Sequence, residues 1–192
     1  MRRVVVALTM ALVAFMGVGC AAGGGSADEA TTTTIAPITL PPPAGTELGE
    51  DISDEDVVEA ALMAYWDMFF RVNDPPAVDD PAIAELATGP ARDALLSIVS
   101  ENQANGDSYR FPEGSVTSHE IEVLAIEEAT AEFEDCWVDD GLVVDTATGE
   151  VRGGGTPVTR LLVGTMVLEA GRWKVFEYEP IDEVEGIDGC AA

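Results

Sequence analysis

The sequence predicts an α+β domain, with N-terminal helices packed on a curved antiparallel sheet. Three observations lead there. Two stretches before residue 106 carry apolar residues at helical spacing, four stretches after residue 117 are rich in β-branched and aromatic residues, and turn signals separate the latter. Helices followed by a run of strands is the order of an α+β fold rather than of alternating α/β units.

The first helix has Ser53 as its N-cap, with Asp54, Glu55 and Asp56 in the first turn, where negative charge suits the helix dipole. Val58, Ala61, Leu62, Tyr65, Phe69 and Val72 follow at helical spacing, and Ala60–Phe70 is apolar almost all round, so other elements should wrap it. Pro75-Pro76 ends it, and a short helical turn follows near Pro81–Ala87. A second helix opens with Pro90, carries Leu95, Leu96, Ile98 and Val99, and closes at Asn105-Gly106. Strands are expected at Ser118–Ile126, Thr130–Asp139, Pro157–Leu168 and Arg172–Pro180. Asp140-Gly141, Gly149, Gly153–Gly155 and Ala170-Gly171 supply the turns.

Ahead of the domain lies an address. Arg2 and Arg3 precede an apolar run from Val4 to Met16, too short for the roughly 20 residues of a membrane span and suited to a signal peptide over residues 1–19. The run ends in Gly17-Val18-Gly19-Cys20, which resembles the lipobox of bacterial lipoproteins, with Gly17 where a leucine is usual. Cleavage by ordinary signal peptidase after Gly17-Val18-Gly19, releasing a soluble protein, is the competing reading; a twin-arginine signal is a weaker one. Cysteine parity favours lipidation: using Cys20 leaves Cys136 and Cys190 as an even pair in an oxidising compartment. Residues 20–50, rich in Thr, Pro, Gly and Ala, cannot bury enough apolar surface to fold and read as a tether with a reach of roughly 30 Å. Residues 51–192 form one domain.

Charge excludes several functions. The chain has 36 acidic residues against 9 basic ones, a net charge of −27. It lacks the cationic footprint that nucleic acid requires, and anionic lipid headgroups repel it, so any membrane attachment must be covalent or inserted. One histidine and three cysteines exclude most protein-built zinc sites and all iron–sulfur clusters, and no metal or cofactor is expected. Gly106-Asp107-Ser108-Tyr109 follows a helix end and reads as a turn rather than a hydrolase serine motif. Gly153–Gly155 lacks the Lys-Ser/Thr of a phosphate loop, Asp135–Gly141 lacks a calcium-loop pattern, and Asp79-Asp80 and Asp139-Asp140 read as solvated turns.

Cys136 and Cys190 read as a structural disulfide stapling the tail to the sheet, rather than as a redox pair. Strand alternation puts Asp135 in phase with Phe133 and Trp137, and Arg160 in phase with Val158, Leu162 and Met166. Two opposite charges on apolar faces should pair, either as a structural ion pair or as a polar anchor in a ligand pocket; a different register would leave both solvated. Asp67 reads as a solvated position of the first helix, with general-base chemistry the alternative. His119, in phase with Ile121 and Val123 near a strand end, reads as a hydrogen-bonded or surface residue before it reads as a base.

The helix containing Tyr65-Trp66, the helical turns, and strands ending in Gly171-Arg172-Trp173-Lys174-Val175 look like the nuclear transport factor 2-like (cystatin-like) fold. Residues 54–192 more narrowly resemble uncharacterised exported lipoproteins of actinobacteria. The likeness rests on Thr88-Gly89-Pro90, Asp135-Cys136, Asp139-Asp140-Gly141, the Asp145…Gly149-Glu150 turn, Thr159-Arg160 and the terminal Gly189-Cys190. It implies a fold and no activity, because that fold hosts isomerases, dehydratases, ligand carriers and scaffolds alike. The sequence thus leads to a lipid-anchored binding or scaffold domain without catalysis, whose partner is an envelope protein or a small apolar ligand. The runner-up is a small isomerase- or dehydratase-like enzyme using Asp67, Asp135 or His119, and a structural homodimer is a third possibility. An enzyme needs an open cone; a scaffold should fill it with Tyr65, Phe69, Trp137 and Trp173.

Overall fold

Helix α1 (Asp54–Arg71) buries Val58, Leu62, Tyr65, Trp66, Met68 and Phe69 in the computed structural model, which describes residues 54–189. The signal peptide, Cys20, the tether, the Ser53 cap and Cys190 lie outside the described residues. The end of α1 is fixed by a buried side chain. Asn73 donates through Nδ2 to the Phe69 carbonyl at 2.8 Å and accepts from Asn102 Nδ2 at 2.8 Å, tying α1 to the third helix. Helix α2 (Ala82–Leu86) is the expected short turn. Helix α3 (Gly89–Asn105) has Pro90 in its first turn and ends at Gly106, whose φ of 69° is the left-handed conformation glycine adopts cheaply. Its buried stripe, Ala91, Leu95 and Val99, recurs every fourth residue.

The four expected strands form one antiparallel sheet with the order β2-β3-β6-β7, where β2 is Ser118–Glu127, β3 Thr130–Asp139, β6 Val158–Glu169 and β7 Arg172–Glu185. Strand β1 (Asp107–Arg110) precedes them, and β4 (Leu142–Asp145) and β5 (Val151–Gly154) lie between β3 and β6. Register shifts at Val123/Ala125, Leu161/Leu162 and Thr165/Met166 are bulges, which bend strands and strengthen their twist. Ala131, Phe133, Trp137, Leu162, Met166, Trp173 and Val175 share one face of this sheet and form a single core with the three helices.

A second sheet was not expected. Strands β1, β4 and β5 pair in the order β1-β4-β5. The segment Gly106-Asp107-Ser108-Tyr109 is therefore a helix end followed by a strand, correcting its reading as a turn. These strands have four residues each and little alternation, so only pairing with distant partners defines them. The Asp145…Gly149-Glu150 motif closes the β4–β5 hairpin: Asp145 Oδ1 accepts from the Thr148 amide at 2.8 Å, and Gly149 has a φ of 74°. Arg152 bridges Asp107 and Asp145 across the same sheet.

Gly164 marks the tightest point of the core sheet. A Cβ there would lie 2.4 Å from Phe133 Cζ and 2.6 Å from the Glu177 carbonyl oxygen. Gly164→Ala should therefore cost about 1–3 kcal/mol through overpacking, read as a lowered urea midpoint at unchanged slope.

Candidate functional site

Strand pairing sets the site. The β2–β3 register puts His119 opposite Trp137 and Ile121 opposite Asp135, all on the core face. Without the bulge at Val123/Ala125, the pairing at the hairpin end would carry His119 to the opposite face. His119 Nδ1 lies 2.8 Å from Asp135 Oδ2, and the two side chains are 4% and 0% exposed. The imidazole stacks on Trp66 (centroids 5.0 Å apart, planes at 21°) and on Trp137 (5.7 Å, 11°). Trp66 and Trp137 are themselves 5.2 Å apart. Phe70 stands 6.2 Å from the imidazole and 4.7 Å from Phe111, so aromatic packing continues to the loop beyond β1. Tyr65 donates to the Tyr178 hydroxyl at 3.2 Å; burial and this neighbour hold the Tyr65 phenol well above its ordinary pKa, and hence neutral.

This arrangement corrects the expected Asp135–Arg160 pair. Arg160 is opposite Trp137, two residues along β6 from Leu162, which faces Asp135. Its guanidinium bonds Asp139 Oδ2 at 2.7 Å and Glu183 Oε2 at 2.8 Å, and its Cζ stands 5.2 Å from the Trp137 ring centroid. Both carboxylates are partly solvated, so Arg160 keeps contact with water while its plane covers an indole. Asp135 takes the histidine instead.

His119 is therefore buried and hydrogen-bonded. Asp67 is exposed on α1, which removes it from acid–base chemistry inside the cone. Cys136 projects from the other face of β3, opposite Glu120 and Leu161. Tyr65, Phe69, Trp137 and Trp173 are all buried, as a filled cone requires. A His–Asp pair of this geometry orients an imidazole, leaving Nε2 as its free nitrogen. Nε2, Asp135 Oδ1 and the indole nitrogens of Trp66 and Trp137 have no hydrogen-bond partner. Aromatic rings, however, cover the imidazole and leave a substrate no approach to Nε2. Among the described residues no cluster of three or more His, Cys, Asp or Glu could hold a metal ion.

Asp139-Asp140 is not a solvated turn. Asp139 accepts from the Gly141 amide at 2.9 Å and from the Tyr109 hydroxyl, joining the two sheets. Asp140 is 5% exposed and accepts from Ser115 Oγ (2.5 Å), the Val116 amide (2.8 Å) and Thr117 Oγ1 (3.0 Å). Burial pushes its carboxyl up, but these hydrogen bonds outweigh burial and hold it below the usual aspartate range. Such pairings between distant loops leave no local mark in a sequence.

No known family model matches the chain, and no curated protein does. Solved structures do. The intermembrane space region of the chloroplast protein ARC6 is similar with a TM-score of 0.51 at 12% identity, over 67% of this chain and 96% of that one. The likeness is one of fold. A ketosteroid isomerase-like protein from Erwinia carotovora atroseptica SCRI1043 is also similar, with a TM-score of 0.42 at 23% identity, over 66% of this chain and 95% of that one.

His119→Ala would leave a buried carboxylate without its donor and should cost about 3–5 kcal/mol in urea unfolding. The apolar double replacement H119F/D135L should cost less than H119A alone, a non-additivity that a double-mutant cycle reads directly. Asp140→Asn should cost about 2 kcal/mol at neutral pH. Because the Asp140 pKa is lowered on folding, its contribution is fully present above about pH 4 and is lost as the pH falls through the lowered folded value. The gap between the wild-type and D140N denaturation curves should accordingly close in acid.

Proposed function

We propose that the chain is a lipid-anchored extracytoplasmic domain that binds another envelope protein and catalyses no reaction. The observation that carries this reading is the filled cone. The space that a substrate or apolar ligand would need beside Asp135 holds Trp66 and Trp137, 1% and 9% exposed, and the His119 ring, whose side chain is 4% exposed. Binding is then left to the outer surface, which favours a protein partner over a small apolar ligand. The His119–Asp135 pair is the one feature that speaks for the alternative, an isomerase- or dehydratase-like enzyme, and its burial weighs against that alternative.

Attachment rests on the sequence: the short apolar run, the lipobox-like Gly17-Val18-Gly19-Cys20, the Thr/Pro-rich tether and the likeness to exported actinobacterial lipoproteins. Among the described residues no helix is long and apolar enough to cross a membrane. A Cys136–Cys190 disulfide would secure the end of the chain. In support, the Gly189 amide donates to Thr159 Oγ1 at 3.4 Å, and Thr159 lies opposite Val138 on the same sheet face as Cys136.

Two measurements test the reading. The wild-type chain should fractionate with membranes and Cys20→Ser should pass into the medium; a soluble wild-type chain would refute the anchor. Titration with the apolar dye 1-anilinonaphthalene-8-sulfonate should give no saturable binding to the native chain, whereas stoichiometric binding would restore the ligand-carrier and enzyme readings. The disulfide makes its own prediction. Cys136→Ser should destabilise the full chain by about 4 kcal/mol on the chain-entropy model, and unreduced wild type should resist alkylation at Cys136 and Cys190.

A further inference from the structure

The solvent side of the four-stranded sheet is opposite the helices, and its residues can be read row by row from the register. One row runs Glu122, Glu134, Val163, Glu179; the next runs Ala125, Glu132, Thr165, Glu177. Glu122 and Glu134 are directly paired neighbours, a position where like charges oppose sheet formation. A groove of about 470 Å³ is lined on this face by Glu132, Glu177 and Glu179 around Leu124, Val163 and Thr165, and it reaches Pro90 at the start of α3 and the core residues Phe133 and Tyr178. A second groove, of about 580 Å³, continues from Glu132 past Glu127 and Glu128. No lysine or arginine lines either groove.

All the described lysines and arginines but Arg92 are tied to carboxylates away from these acids: Arg71, Arg110, Arg152, Arg160, Arg172 and Lys174. Arg92 lies on α3, across the sheet. None of the groove carboxylates has an ion-pair partner among the described residues. A second copy of this face would bring like charges together, and no group among the described residues could chelate a metal ion. Glu122, Glu132, Glu177 and Glu179 are exposed, so a cationic partner could reach them directly.

We propose that this face is a docking surface for a basic, extended polypeptide segment. Glu177 and Glu179 stand two residues apart on one face of β7, the spacing at which alternate side chains of an extended chain also repeat. Lysines or arginines at alternate positions can meet that pair and Glu132, while apolar residues at the same positions further along contact Leu124 and Val163. The surface rests on the binding reading above and names the chemistry of its partner.

The test uses the full chain, a Lys–Val alternating hexapeptide as probe and its Glu–Val counterpart as control. The Lys–Val peptide should bind, shift the amide resonances of β3, β6 and β7, and lose affinity when salt is raised from about 50 to 200 mM. E132Q/E177Q/E179Q should weaken binding about tenfold, as three partly exposed charge pairs would. D67N/D93N/E101Q removes the same charge from exposed helix positions and should change affinity by less than about twofold. Equal weakening by both triple variants, shifts scattered over the helices, or no Lys–Val binding would each overturn the proposal. Retention of an envelope partner by E132Q/E177Q/E179Q would also overturn it, while leaving the proposed function intact.

Discussion

Asp135 is fully buried in the middle of an otherwise apolar sheet face, and a charged or polar oxygen taken out of water has to be answered from within the fold. His119 answers it, and to do so β2 must hold a register that its bulge alone makes possible. The imidazole in turn brings a flat ring into the core, where it packs with Trp66 and Trp137, which also touch each other. Trp66 reaches the stack only because α1 lies across the concave side of the sheet. One carboxylate thereby fixes a register, a helix position and the aromatic filling between them.

The same packing extends outward and loses its apolar character by steps. Trp137 is covered by the Arg160 guanidinium, Arg160 is held by Asp139 and Glu183, and Asp139 also accepts from Tyr109 in the second sheet. Buried stacking thus gives way to half-buried ion pairs and then to a strongly acidic exterior. On the outer face of the core sheet, Glu122, Glu132, Glu134, Glu177 and Glu179 have no ion-pair partner among the described residues.

Much of this is legible in the sequence for identifiable reasons. Helix α3 announces both ends, with Pro90 and Gly106, and its interior repeats every fourth residue. Strand β3 alternates clearly enough that its neighbours Phe133 and Trp137 alone assign Asp135 to the core face. The partner of Asp135 is hidden, because choosing between Arg160 and His119 depends on the β3–β6 register and on where the bulge falls in β2, and a bulge has no reliable signature in residue type. The second sheet is illegible for a related reason: its four-residue strands are held by contacts far apart in sequence, Tyr109 of β1 with Asp139 and Arg152 of β5 with Asp107, rather than by their own pattern. Asp140 misleads because an Asp-Asp-Gly sequence has the composition of an exposed turn, whereas here it caps the Ser115–Thr117 loop from inside.

A filled cone requires an interior closed to water around Trp66. Hydrogen exchange of the Trp66 indole N–H, followed by nuclear magnetic resonance across a denaturant series, measures that closure directly. A closed core predicts exchange only through global unfolding, with a free energy that falls with denaturant along the same line as the equilibrium transition. Rapid exchange that denaturant does not change would show a cone open to water in the native state, and would contradict it.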